Sequence, residues 1–445
     1  MLKKLNNLIG LKKGDFDNHI ENGDIQLSKA KLIPPFKVGD EMALTSIFLS
    51  SIRLVKEFRY KIFSEIKLNK SGKAFYYTEV TFKDKSENRF DGLIIIVIKG
   101  IIKDAVVFEM KNKNNSIKES QIKTYVKICK NLKITKLVTV SNQFVSDSSK
   151  SPINIKSFGK FNIYHLSWTY ILTIGRLLLF KNDENIEDND QVEIMREVLS
   201  YFSNKSSNIL GYSKMDNKWK EIAENVNSGK NLLMKDDNVQ KATLSWIQEE
   251  RDMALMLSRE LGVLVKSKSA NTKDNLQKNK KSLVDNNQLK SSLIIKGAVS
   301  KIDILADFLT RTISLSVQIT PPSDKGSIAK LSWIIRQIEY CDKKSFNVFE
   351  SIRKDIWLEV DIKFSPRDIK IKFDDIADLY EIVKPKEILN FKLIYVKNLG
   401  RNFANPTPFV RNLENMLLDY YKVFVQYLKN SVPPAPKIIE KKVKN

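Results

Sequence analysis

Glycine is scarce in this 445-residue chain, at 15 residues, and neither a GxxxxGK[ST] nor a GxGxxG run occurs. The Gly-rich loops that cradle phosphates are therefore missing, which excludes a nucleotide-hydrolysing motor and a dinucleotide-dependent enzyme. Cysteine and histidine are nearly absent, with two of each: Cys129, Cys341, His19 and His165. Two cysteines far apart supply neither a disulfide framework nor a zinc knuckle, and they suit a reducing cytoplasm. Two histidines cannot build a His-rich centre, so a metal here would be held by carboxylates, which points to magnesium or manganese. No run of about 18 apolar residues is present to span a bilayer, and the opening MLKKLNNLIGLKKGD is too broken by polar residues for a signal sequence. The expectation is a soluble, cytoplasmic protein without a membrane partner.

Basic residues are plentiful: 75 Lys and Arg stand against 52 Asp and Glu, a formal charge of +23. Such a surplus gives a long-range positive field suited to a polyanion, nucleic acid being the usual one. Richness in Lys, Asn and Ile together also suits an AT-biased genome, which accounts for part of the excess. A hydrophobic share of 42% and a charged share of 29% are ordinary for globular protein, and the length calls for two or three domains.

Residues 1–40 read as polar and irregular. From Gly39 to about Lys67 the apolar spacing predicts one helix, with Asp40 able to cap it and Glu41 in its first turn. Strands follow around Phe75–Phe82, Phe90–Ile98 and Ala105–Lys111. Ser116 and Glu119 form an S-x-x-E capping box that opens a helix to about Asn131. A strand at Lys136–Ser141, another near Phe161–Leu166 and a helix from Trp168 complete an α/β domain with a mixed sheet flanked by helices, over 1–182. Asp183–Gln191 reads as an exposed connection within a helical connecting region, 183–265. Residues 266–290 read as a polar linker, 291–430 as a separate α+β domain, and 431–445 as a disordered basic tail.

The stretch RFDGLIIIVIKGIIKDAVVFEMKNK, residues 89–113, carries the chemistry. Two strands joined by a tight turn bring Asp91 at the start of one beside Glu109–Lys111 at the end of the other, because cross-strand Cβ atoms lie about 5 Å apart. Alternation sets Val107, Glu109 and Lys111 on one face and Val106, Phe108 and Met110 on the other. Two carboxylates able to converge on one divalent ion, with an amine beside them, form a minimal hydrolytic site. Such an ion polarises a phosphate oxygen and lowers the pKa of bound water, and a lysine next to it can be pushed toward neutrality.

This pattern resembles the PD-(D/E)xK nuclease superfamily, which implies a restriction-endonuclease-like fold and a Mg²⁺- or Mn²⁺-dependent nuclease. The match is Asp91, a hairpin, the E-x-K tripeptide Glu109-Met110-Lys111, then a helix bearing Gln121 and a strand. By that resemblance Asp91 and Glu109 are metal ligands and Lys111 orients and stabilises the attacking hydroxide. Gln121 matches an active-site position on the helix, and Glu41 the acidic residue of the first helix. Phe90 replaces the proline expected before Asp91. The YHLSW segment and LSYFSNKSSNILGYSKMDNKWKEI extend a looser similarity to bacterial proteins that join such a domain to a large C-terminal part, some of them labelled stress-response or defence proteins.

Set against these roles, Gln121 also suits a solvated helix residue, and Glu41 also suits the helix dipole. Lys118, Lys123, Lys127 and Lys130 fit a phosphate track and a solvated face equally well. His165 reads as a satisfied residue at a strand end, and Trp168 and Tyr170 as core. The leading expectation is a metal-dependent endonuclease acting on DNA in preference to RNA, in defence against foreign DNA. A non-catalytic nucleic-acid-binding or assembly module is the alternative. The C-terminal domain reads as a recognition, regulatory or oligomerisation module, able to serve a homo-oligomer or a protein partner.

Overall fold

The computed structural model describes residues 5, 7–83, 88–112, 115, 117–143, 148, 158–179, 186–209, 211–267, 272–384 and 386–431. The fold is mixed α/β, and the chain divides into two compact units. One comprises Met1–Ser213 with Ile247–Leu264 and Ala270–Thr272; the other comprises Lys214–Trp246, Val265–Ser269 and Lys273–Asn445.

The first unit runs α1 (Lys13–Glu21), β1 (Ile25–Lys29), α2 (Glu41–Leu54), α3 (Lys56–Glu65), β2 (Lys73–Phe82), β3 (Arg89–Ile98), β4 (Ile101–Met110), α4 (Glu119–Asn131), β5 (Lys136–Ser141), β6 (Asn162–Ser167), α5 (Trp168–Leu179) and α6 (Asn189–Ser203). Its six strands lie in chain order, β1-β2-β3-β4-β5-β6. The first four pair antiparallel, and β4, β5 and β6 pair parallel. The parallel crossover through α4 demands helical cover on that side of the sheet, and two cores result. One packs Phe48, Trp168, Met195 and Phe202 of α2, α5 and α6 against Val106, Phe108 and Met110. The other packs Ile122, Tyr125 and Cys129 of α4 against Leu93, Ile95 and Val107.

Four expectations for this part change. Residues 1–40 hold α1 and β1, both missed because a nine-residue helix burying only Phe16 and His19 leaves little periodic signal. The single helix over 39–67 is two, because Val55 is extended (φ −108°, ψ 108°). Asp40 occupies the N-cap position of α2 but its side chain makes no capping hydrogen bond. Ser116, the cap expected for α4, lies outside the described residues, as do 183–185 of the expected connection. α6 was expected in a connecting region. Its Met195, Val198, Leu199 and Phe202 instead belong to the first unit's core.

The second unit contains α7 (Lys218–Asn227), the start of α8 (Asp237–Leu261), β7 (Lys266–Ser267), α9 (Thr272–Asn286), β8 (Gln288–Ile294), β9 (Ile302–Asp307), β10 (Thr312–Ile319), α10 (Ser327–Ile352), β11 (Ile356–Ile362), β12 (Ile369–Lys372), α11 (Leu379–Val383), β13 (Ile388–Asn398), α12 (Arg401–Ala404) and α13 (Pro406–Tyr420). Its seven strands form an antiparallel sheet in the order β12-β11-β13-β10-β9-β8-β7. The polar linker expected at 266–290 is instead largely α9 and the start of β8. α9 is poor in apolar residues, yet it is tied in by polar ones: Asn279 donates to Asn275 (2.7 Å) and accepts from the Lys290 backbone N–H (2.8 Å). Ser431, the first residue of the expected tail, and Asn430 before it are bonded to Thr320; 432–445 lie outside the described residues. Among the described residues no helix is long and apolar enough to cross a membrane.

Candidate active site

The site forms where β3 and β4 reach the end of their pairing. Their register carries Gly92 opposite Phe108, so Asp91 and Glu109 are the next residues along. A Cβ at Gly92 would stand 2.8 Å from Leu49 Cδ1 and 3.3 Å from Phe108 Cβ; glycine here lets α2 close against the sheet beside Asp91. β4 keeps the expected alternation, with Val106, Phe108 and Met110 in one core and Val107 in the other. Glu109 therefore points to the α4 side, where it is buried.

All five candidate residues come together. Lys111 Nζ lies 2.5 Å from Glu109 Oε1 and 3.5 Å from Glu41 Oε2. Gln121 Nε2, one turn into α4, donates to Glu109 Oε1 at 2.7 Å and to the Tyr125 hydroxyl at 3.0 Å. Asp91 Oδ2 accepts the Met110 backbone N–H at 2.6 Å, which locks the start of β3 to the end of β4. Glu109 Oε2 is buried and has no hydrogen-bond partner.

Burial raises the Asp91 carboxyl, and the neighbouring Glu109 charge raises it further. The Met110 N–H and the Lys111 charge only partly offset this, and the group is pushed up to about 8. Lys111 departs from expectation. Burial pulls its amine down, but the hydrogen bond to Glu109 and the charges of Glu109, Asp91 and Glu41 outweigh that, so its pKa is raised. With three carboxylates around it the amine stays charged rather than moving toward neutrality.

Several members of the network had no sequence signal. The Asn112 backbone N–H and the Asn115 side chain both donate to Glu41 Oε1, at 3.0 and 2.8 Å, holding that carboxylate toward Lys111. The buried Asn112 amide donates to the carbonyls of Gly39 (2.8 Å) and Ser207 (2.7 Å). Trp168, read as core, is core, and its indole N–H also donates to the Lys111 carbonyl at 2.9 Å. Tyr125 stacks obliquely on Phe90, with centroids 4.6 Å apart, and donates to the Arg89 carbonyl at 2.7 Å. Burial and then the Glu109 charge raise its hydroxyl pKa.

His165 is satisfied within the fold. Its ring nitrogens meet Thr139 Oγ1 (2.9 Å) and the Gln143 carbonyl (2.8 Å), and burial pulls the imidazole down to about 4. Lys118, just before α4, and Lys123, Lys127 and Lys130 on it are all exposed, with Lys123 paired to Glu119 at 2.7 Å.

Among the described residues no group of three or more His, Cys, Asp or Glu side chains is arranged to hold a metal ion. The donors here are two carboxylates, Asp91 and Glu109. Their chemistry fits a hard divalent cation: the buried Glu109 oxygen without a hydrogen-bond partner is costly, and the raised Asp91 pKa, caused by burial first and by the Glu109 charge second, is what a cation beside both groups would relieve. Compared with family models, curated proteins and solved structures, the chain matches none.

Proposed function

We propose that the first unit is a divalent-cation-dependent phosphodiesterase of the PD-(D/E)xK type, built on a restriction-endonuclease-like fold and acting on DNA. The convergence of Asp91, Glu109, Lys111 and Gln121 at the open end of the β3–β4 hairpin carries this reading. Asp91 and Glu109 would hold Mg²⁺ or Mn²⁺, which supplies charge neutralisation at the phosphate and a nucleophile at neutral pH. Lys111 keeps its proton among the carboxylates and serves as a fixed positive charge facing the phosphate oxygens and the developing negative charge. Gln121 orients Glu109, and Glu41, steadied by Asn112 and Asn115, orients Lys111. The net +23 charge of the chain suits a polyanionic substrate. A setting in defence against foreign DNA comes from the resemblance alone.

Purified protein with Mg²⁺ is expected to nick supercoiled plasmid, and replacing Asp91, Glu109 and Lys111 together by alanine is expected to abolish nicking. Equal activity in that variant sinks the assignment. One observation favours a second reading, a non-catalytic nucleic-acid-binding or assembly module: Lys111 already serves as counter-ion to Glu109. Calorimetry finding no Mn²⁺ binding to the wild type would support it.

A further inference from the structure

Among the described residues, eight non-glycine positions have positive φ. Seven lie at turns, bends or loop positions; Glu79, at φ 55°, lies inside a strand. The β1–β2 register explains the local geometry. Gln26 faces Thr81 and Ser28 faces Thr78, so β2 carries one extra residue there. Glu79 thus occupies the left-handed position of a bulge, where glycine is the residue without steric cost. The bulge also changes the phase of β2: Phe75 and Tyr77 face the α4 core before it, Val80 and Phe82 after it. On the other side Thr78 pairs with Gly92 and Val80 with Phe90, which sets Glu79 level with Asp91.

The strained residue holds Arg89. Glu79 Oε2 lies 2.5 Å from Arg89 Nη1, with the Glu79 side chain 15% exposed and the Arg89 side chain 53% exposed. The Arg89 carbonyl accepts a hydrogen bond from the Tyr125 hydroxyl, and Tyr125 shares Gln121 with Glu109. Only the Arg89 side of this pair is open to water; both Glu79 oxygens are buried and neither makes a well-formed hydrogen bond, so the contact does not offset a left-handed backbone and a buried carboxylate. Bulges beside reactive sites re-aim side chains, and what this one aims is a guanidinium two residues before Asp91.

We propose that Arg89 is a substrate-anchoring residue that binds a phosphate of duplex DNA beside the Asp91–Glu109 pair, and that Glu79 is a positioning residue that aims it. The proposal rests on the phosphodiesterase reading. A guanidinium fork matches two phosphate oxygens, which a lysine does not.

The test uses the full chain, a short fluorescent DNA duplex, and Ca²⁺ in place of Mg²⁺ so that binding is read apart from cleavage. Arg89→Ala is expected to weaken binding roughly 10- to 100-fold and to lower the slope of log affinity against log salt by about 1. In Mg²⁺ the same variant is expected to raise KM more than it lowers kcat, and Arg89→Lys to recover only part of the loss. Glu79→Gly is expected to raise Tm, by about 2–4 °C, because it relieves the backbone, while weakening binding through the released Arg89. The double variant is expected to bind no worse than Arg89→Ala alone. Wild-type binding and salt slope in Arg89→Ala overturn the anchoring role, even if the wild type cuts DNA as proposed above. Unchanged binding in Glu79→Gly overturns the positioning role. A wild type that binds but does not cut, with Arg89→Ala binding weakly, removes the hydrolase and keeps the anchor. A wild type that binds no duplex overturns both.

Discussion

Lys111 Nζ sits 2.5 Å from Glu109 Oε1, while Glu109 Oε2 on the same carboxylate is buried without a hydrogen-bond partner. One oxygen meets the Lys111 amine and the Gln121 amide, and the other is bonded by neither. That division explains how the fold tolerates a carboxylate only 1% exposed, and it makes the site sensitive to each charge in turn.

Lys111→Met removes the counter-ion and leaves Glu109 buried and unpaired. Breaking a buried pair from one side costs about 3–5 kcal/mol, so Tm is expected to fall by several degrees in the absence of divalent ions. Added Mn²⁺ is expected to restore part of it, because a ligand that binds only the folded state stabilises that state. Thermal unfolding with and without Mn²⁺ checks this, and an unchanged Tm without ions would show that Lys111 is not needed to balance Glu109.

The pH dependence of stability carries the mark of Asp91. Its folded pKa, near 8, lies far above its unfolded value of about 3.9. Between these values the folded chain holds a proton that the unfolded chain has lost, so stability falls as pH rises through this window. Asp91→Asn removes that slope. The variant is expected to gain on the wild type by roughly 1–3 kcal/mol between about pH 5 and pH 8 in EDTA, read by urea unfolding at each pH. His165 acts in the opposite sense, because its pKa is depressed to about 4. Its contribution is present above about 6.5 and is lost as pH falls toward 4.

Gln121→Leu keeps the bulk and removes both donors. Glu109 retains Lys111, and Tyr125 still reaches Arg89, so the fold should lose only about 1 kcal/mol. The plasmid-nicking rate is expected to drop about 10-fold, the change tied to losing one hydrogen bond to a charged carboxylate. A solvated helix residue would give wild-type rates.

Asn112→Ala strips two donors from buried carbonyls, those of Gly39 and Ser207. Leaving both unsatisfied costs about 2–4 kcal/mol. The expected Tm loss should be matched by lower activity at temperatures where the variant is fully folded, because the same residue's N–H steadies Glu41. Chemical denaturation together with initial rates separates the two effects.

Much of the site could be read from residues 89–121. The hairpin, the E-x-K alternation and a helix carrying Gln121 are short-range features: a strand's two-residue period and a tight turn fix which side chains meet. Glu41 was legible only by position, and its contact with Lys111 depends on Asn112 and Asn115 holding it there. Other misreadings share a cause. α9 resembles a linker in composition because few of its residues are apolar, yet Asn275 and Asn279 anchor it through hydrogen bonds that hydropathy does not weigh. Val55 breaks a helix that the apolar spacing ran straight through.

By itself the sequence determined the order of strands and helices around the site and the meeting of Asp91 with Glu109 and Lys111. Only the tertiary structure decided that Lys111 stays charged, that Glu109 keeps one oxygen without a partner, and that Glu79 bends its strand to hold Arg89. The physical reason is range. Periodicity acts between neighbours along the chain, whereas proton affinity and the place of a bulge depend on charges and partner strands that the chain brings together only when folded.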